Sequence, residues 1–83
     1  MYDYIEGEIT DINPGYVSVF CGGVGYKVYT PNSYVFKKEK TKIYLYSHIR
    51  EDEYSLYGFK TEEERAMFLR LINVKGLGPK MAL

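Results

Sequence analysis

Hydrophobic and polar positions alternate along most of this chain in short runs, and the period lengthens at Thr61. From Tyr4 to Ile12, Ile5, Gly7 and Ile9 fall on one side and Glu6, Glu8 and Thr10 on the other, the pattern of a half-buried strand. Gly7 marks a bend, because a strand glycine permits a bulge or a sharp coil where a sheet curls over on itself. Asn13-Pro14-Gly15 is turn chemistry. A second strand follows from Tyr16 to Cys21, with Val17, Val19 and Cys21 facing one way. Gly22-Gly23 between apolar runs predicts a tight hairpin, since the turns that suit strand twist need positive φ. Val24 to Thr30 then returns antiparallel and completes a three-stranded meander. Thr30-Pro31-Asn32-Ser33 stops that strand. Tyr34-Val35-Phe36 reads as a short helical turn or loop with its aromatics tucked against the sheet, ahead of the ordinary charged surface of Lys37-Lys38-Glu39-Lys40.

Ile43 to Phe59 reads as one long hairpin, with Ile43-Tyr44-Leu45-Tyr46 ascending and Tyr54-Ser55-Leu56-Tyr57-Gly58-Phe59 descending. Arg50-Glu51-Asp52-Glu53 between them has nothing apolar to bury, so the tip projects into solvent. On charge alone, a solvated polar loop accounts for the three consecutive carboxylates. Five short strands, a connection between the third and fourth, and a bend glycine in the first predict a mainly β fold. The best match is a five-stranded Greek-key barrel of the oligonucleotide/oligosaccharide-binding (OB) type, with an SH3-like barrel as the competing fold.

Thr61-Glu62-Glu63-Glu64 matches a capping box and places acidic residues at the positive end of a helix. Met67, Phe68, Leu71 and Ile72 then recur at helical spacing as a core-packing face, with Arg65 and Arg70 off it. Leu71-Ile72-Asn73-Val74-Lys75 runs into Gly76-Leu77-Gly78-Pro79-Lys80: a helix end, a Gly-apolar-Gly turn and a proline suited to the first position of another helix. This is the pattern of a helix-hairpin-helix. Its glycines let the backbone approach a phosphate, its unpaired helix-start N–H groups favour an anion, Lys80 adds charge, and Leu77 packs inward. Such contacts hold the sugar-phosphate backbone without reading bases. A plain structural turn between two helices is the simpler alternative. The chain therefore divides into a barrel over 1–60 and the start of a helix-hairpin-helix domain over 61–83.

With 83 residues, the chain is of single-domain size, near the limit where a core suffices. Its apolar content leans on ten tyrosines and no tryptophan, and tyrosine is suited to rims and interfaces. The formal charge is zero, which argues against a uniformly basic nucleic-acid surface. The balance is uneven, at minus two over 1–59 and plus two over 60–83. The single cysteine, Cys21, excludes an internal disulfide and reads as a small buried hydrophobe. One histidine, His48, leaves no metal-ligand cluster, and no catalytic set or phosphate-binding Gly-x4-Gly-Lys-Ser/Thr loop occurs. No catalytic residue, metal or cofactor is expected. Neither a signal peptide nor a membrane span is evident, and a cytoplasmic location is expected.

Three ordered blocks make the chain recognisable. They are Gly22-Gly23-Val24-Gly25-Tyr26; Arg50-Glu51-Asp52 followed by Leu56-Tyr57-Gly58-Phe59; and Glu64-Arg65 with Phe68, Leu71-Ile72, Gly76-Leu77-Gly78-Pro79-Lys80 and Ala82-Leu83. Over essentially all 83 residues the chain resembles the N-terminal part of the RuvA family, Holliday-junction-binding subunits of the bacterial branch-migration machine. The resemblance implies an OB barrel, then a domain with two helix-hairpin-helix motifs, then a flexible link to a small domain that engages the RuvB ATPase. On that reading the chain is an N-terminal fragment ending about one helical turn past the first hairpin.

The resemblance also implies a homotetramer that works with the RuvC resolvase in homologous recombination, DNA repair and the SOS response, the ATP-dependent helicase activity residing in RuvB. Glu51 and Asp52 match the acidic pins that family tetramers display at the junction centre. Lys75, Gly76, Gly78 and Lys80 are the expected phosphate-contacting set. The alternative function is a generic OB-type single-strand or protein-binding module, with bases stacking on exposed tyrosines along one barrel face.

Overall fold

The computed structural model describes residues 2–74. Five strands, β1 (Tyr4–Asn13), β2 (Tyr16–Cys21), β3 (Val24–Tyr29), β4 (Lys40–Arg50) and β5 (Glu53–Phe59), precede one helix, α1 (Glu62–Val74). A short 3-10 helix, Ser33–Val35, lies between β3 and β4. The strands close into a barrel in the order β1-β2-β3-β5-β4. All neighbours are antiparallel except β3 and β5, which run parallel through Val28 opposite Leu56 and Tyr29 opposite Tyr57. This is the expected Greek-key barrel of the OB type.

Closure depends on the bend in β1. Its first half pairs with β4 through Tyr4–Glu8, and its second half pairs with β2 from Glu8 onward. A Cβ at Gly7 would stand 2.6 Å from the Phe20 carbonyl oxygen and 2.9 Å from Val19 Cγ1, so only glycine lets β2 fold so closely over β1. The bulge itself falls further along, between Ile9 and Asp11. At the β2–β3 turn, Gly22 and Gly23 take φ of 59° and 83°, the primed geometry that the pair predicts.

Ile9, Val17, Val19, Val28, Phe36, Ile43, Leu45 and Leu56 fill the barrel. Each buried aliphatic contributes about 1.5–3 kcal/mol of transfer free energy. A second cluster, Tyr57, Phe59 and Phe68, joins the outside of the barrel to α1, with Tyr29, Tyr46, Leu69 and Ile72 against it. Phe68 is its centre, with ring centroids 4.9 Å from Phe59, 5.6 Å from Tyr57 and 5.7 Å from Tyr46.

Four details depart from the sequence pattern. β4 begins at Lys40 rather than Ile43, because Lys40 and Lys42 pair in register with Glu8 and Glu6 of β1, and the Lys42 ammonium lies 4.2 Å from the Tyr4 ring centroid, so cross-strand contacts support a strand without apolar alternation. The inward face of α1 is Arg65, Phe68, Leu69 and Ile72, whereas Met67 is 67% exposed. The helix is rotated to seat Phe68 among the tyrosines, and the residue one step before it turns outward. Of the aromatics after β3, Phe36 is buried but Tyr34 is 68% exposed, since the 3-10 turn directs them apart. Cys21 is half-buried rather than buried, at the mouth of a barrel-end cavity that it lines with Tyr2, Tyr4 and Tyr26.

The helix start follows expectation in one bond and differs in the other. Thr61 Oγ1 accepts from the Glu64 N–H at 3.2 Å, but the Glu64 carboxylate accepts a hydrogen bond from the Thr61 hydroxyl at 3.3 Å instead of reaching back to a backbone N–H.

Candidate functional site

The β4–β5 hairpin is longer than the barrel it belongs to. β4 pairs with β1 only as far as Tyr44, with one further bond from the Leu45 N–H to the Asp3 carbonyl. β5 pairs with β3 only at Leu56 and Tyr57. Above that level the two strands hold only each other, in register from His48 opposite Ser55 to Arg50 opposite Glu53. Ser47 and Ser55 are still buried, while Ile49, Arg50, Glu51, Asp52 and Tyr54 are exposed. At about 3.4 Å of rise per residue, the turn stands on the order of 10 Å clear of the rim.

The turn is shorter than the four-residue tip that the charge run predicts. Arg50 and Glu53 are paired strand residues, leaving Glu51-Asp52 as a two-residue turn. Both turn residues are exposed, and among the described residues neither carboxylate has a hydrogen-bond or ion-pair partner. Glu53 differs from them. It is half-buried and accepts a hydrogen bond from Ser55 Oγ at 3.0 Å, so the third carboxylate is folded back along the stem. Burial, reinforced by the negative charge of Glu53, pushes the Tyr57 hydroxyl above its ordinary pKa and keeps it neutral within the aromatic cluster. The stem is thus packed and hydrogen-bonded, and the two free carboxylates are confined to its end, beside the exposed guanidinium of Arg50.

The stem's direction is fixed from below by α1. Arg65 Nη1 donates to the Asp3 carbonyl and to Asp3 Oδ1, both at 2.8 Å, and to the Leu45 carbonyl at 3.2 Å. Its guanidinium lies 5.5 Å from the Tyr44 ring centroid. One side chain therefore ties helix, N-terminal segment and β4 at the point where the arm leaves the barrel. The apolar pattern alone sets Arg65 off the packed face; the signal for its role is its position three residues before Phe68, on the same helix face.

Lys75, Gly76, Gly78 and Lys80, together with Leu77 and the second helix of the hairpin, lie outside the described residues. Among the described residues, no group of three or more His, Cys, Asp or Glu side chains is placed to hold a metal ion. No described helix is long and apolar enough to cross a membrane. The exposed tyrosines fall on separate segments: Tyr2 before β1, Tyr4 on β1, Tyr34 on the 3-10 turn and Tyr54 on the arm.

Residues 1–58 match the family described as RuvA N terminal domain. The whole chain is 46% identical, over 84 aligned residues, to the Holliday junction branch migration complex subunit RuvA of Bacillus velezensis. It is 46% identical, over 85 aligned residues, to the proteins of that name from Bacillus thuringiensis and Bacillus cereus. In each case the alignment takes in 100% of this chain and 42% of the relative, so the chain spans about two fifths of the length of the curated relatives it matches. A closed Greek-key barrel, the Arg50-Glu51-Asp52 arm and identity at this level along the full 83 residues lead to one assignment: the chain belongs to the RuvA family.

Proposed function

We propose that this chain is the N-terminal part of the DNA-binding subunit of a branch-migration complex, and that its arm keeps the centre of a four-way junction open by excluding phosphate. The observation that carries this reading is the pair of exposed, unpartnered carboxylates, Glu51 and Asp52, at the end of a stiff arm in a RuvA-family barrel. Phosphate neutralisation dominates DNA affinity, so carboxylates cannot serve as attachment points. A phosphate about 4 Å from one of them is disfavoured by about 1 kcal/mol even in bulk water, and several arms meeting at one centre add to that. Crossing strands relax by moving outward along the duplex arms, which favours an open, square-planar junction.

Attachment belongs to the helix-hairpin-helix domain that begins at residue 61. There the backbone at Gly76 and Gly78, with Lys75 and Lys80, grips phosphates without reading sequence. Assembly as a homotetramer multiplies these few contacts. ATP hydrolysis and helicase activity belong to the RuvB partner, and RuvC acts on the same junction, in cytoplasmic recombination and repair. The generic single-strand module remains the alternative reading, and single strands outcompeting four-way junctions would favour it.

The test is competition between junction and duplex DNA for a full-length family protein carrying this sequence. Glu51→Gln with Asp52→Asn should tighten duplex binding and narrow the preference for junctions. Unchanged discrimination would contradict the proposed role of the arm.

A further inference from the structure

Just below the acidic turn the arm carries a feature that repulsion does not use. Ile49 and Tyr54 lie directly opposite one another in the hairpin register, so their side chains share one face. That face continues the row that lines the barrel: Ile43, Leu45 and Ser47 on β4, with Leu56 opposite Ser47 on β5, are all buried. Past the rim the row loses its cover, leaving Ile49 58% and Tyr54 55% exposed. Two apolar side chains therefore stand side by side, one residue pair from the exposed carboxylates.

We propose that Ile49 and Tyr54 form a platform for nucleobases at the junction centre, with the Tyr54 ring stacking on a base next to the crossover. This rests on the reading of the arm given above and adds the part of the DNA that the arm receives. The neighbouring chemistry selects the occupant. Glu51 and Asp52 repel phosphate, but carboxylates accept hydrogen bonds from exocyclic amino groups, as on cytosine. The two turn carboxylates thus disfavour the DNA backbone and accept base edges, and the exposed Arg50 beside them leaves the tip net negative rather than uniformly so. Aromatic stacking tolerates any sequence, and apolar side chains that wedge against base steps are a recurrent device, as branch movement through changing sequence requires.

A protein occupant fits less well. Even fully covered, two side chains supply on the order of 300 Å², against about 800 Å² per partner in a stable interface.

Photocrosslinking with iododeoxyuridine tests the platform, using a full-length family protein carrying this sequence and four-way junctions labelled either beside the crossover or a full helical turn away. The expected result is a crosslink mapping to Tyr54 from the crossover label alone. Tyr54→Leu should lose it and weaken junction binding by roughly tenfold per stacked base. Glu51→Gln with Asp52→Asn should keep the crosslink. Crosslinks to other arm residues but not Tyr54 would overturn the platform while leaving the arm at the centre. Crosslinks to no arm residue would overturn the placement of the arm as well. Dissociation of the Tyr54→Leu assembly in light scattering would identify the patch as a subunit contact instead and overturn the proposal.

Discussion

Glu51 and Asp52 carry the proposed function because they lack partners, whereas the neighbouring Glu53 is held by Ser55 and half-buried. Position in the turn separates three chemically similar residues into two free charges and one structural one. Gly7 shows how sharply a single position can be constrained. A methyl there would press on the backbone carbonyl of Phe20, which cannot rotate away, so Gly7→Ala should cost about 2–3 kcal/mol and lower the melting temperature by roughly 10–20 °C. Gly25→Ala is the matching control: a methyl at that position would meet nothing within 4 Å, and its effect should stay within about 0.5 kcal/mol. Thermal unfolding of the two variants checks the contrast, and equal effects would contradict it.

Among the elements, the connection between α1 and the arm matters most. Arg65 reaches two backbone carbonyls and the Asp3 carboxylate. Removing it takes one donor from each carbonyl, the Asp3 carbonyl keeping its bond from the Leu45 N–H, so Arg65→Ala should destabilise by about 1–2 kcal/mol. Asp3→Asn should cost well under about 1 kcal/mol, because the Asp3 side chain is 73% exposed and an exposed ion pair adds little. Urea unfolding of both variants distinguishes a backbone clamp from a surface ion pair, and equal losses would favour the ion pair. The barrel strands and the Gly22-Gly23 turn are legible in the sequence because alternation and turn chemistry are local signals. The start of β4 is not, since Lys40 and Lys42 join it through partners more than thirty residues away in sequence. The helix face is ambiguous for a similar reason: Met67 and Arg65 both fit a helical period, and only the aromatic pocket that receives Phe68 decides which turns inward.

For the molecule as a whole, the arm's acidic end is legible as a charge run, but the paired Glu53 and the exposed Ile49–Tyr54 face emerge only once the register is known. Charge also sets an expectation for the chain by itself. Its 83 residues carry no net charge, and 1–59 are net acidic, so as a single subunit it should bind junctions some 10²–10⁴-fold more weakly than a tetramer. A polarisation titration reporting equal affinity would contradict the dependence on multiplicity. The claim beneath all of this is that like charge at Glu51 and Asp52 excludes DNA backbone, and electrostatic exclusion has a salt signature. Its range contracts with ionic strength, to about 8 Å at 0.15 M. The decisive measurement is the junction-over-duplex preference of the full-length protein and its Glu51→Gln/Asp52→Asn variant across a salt series. The account predicts a wide gap between the two at low salt that closes as salt rises; no gap at low salt, or a gap indifferent to salt, would contradict it.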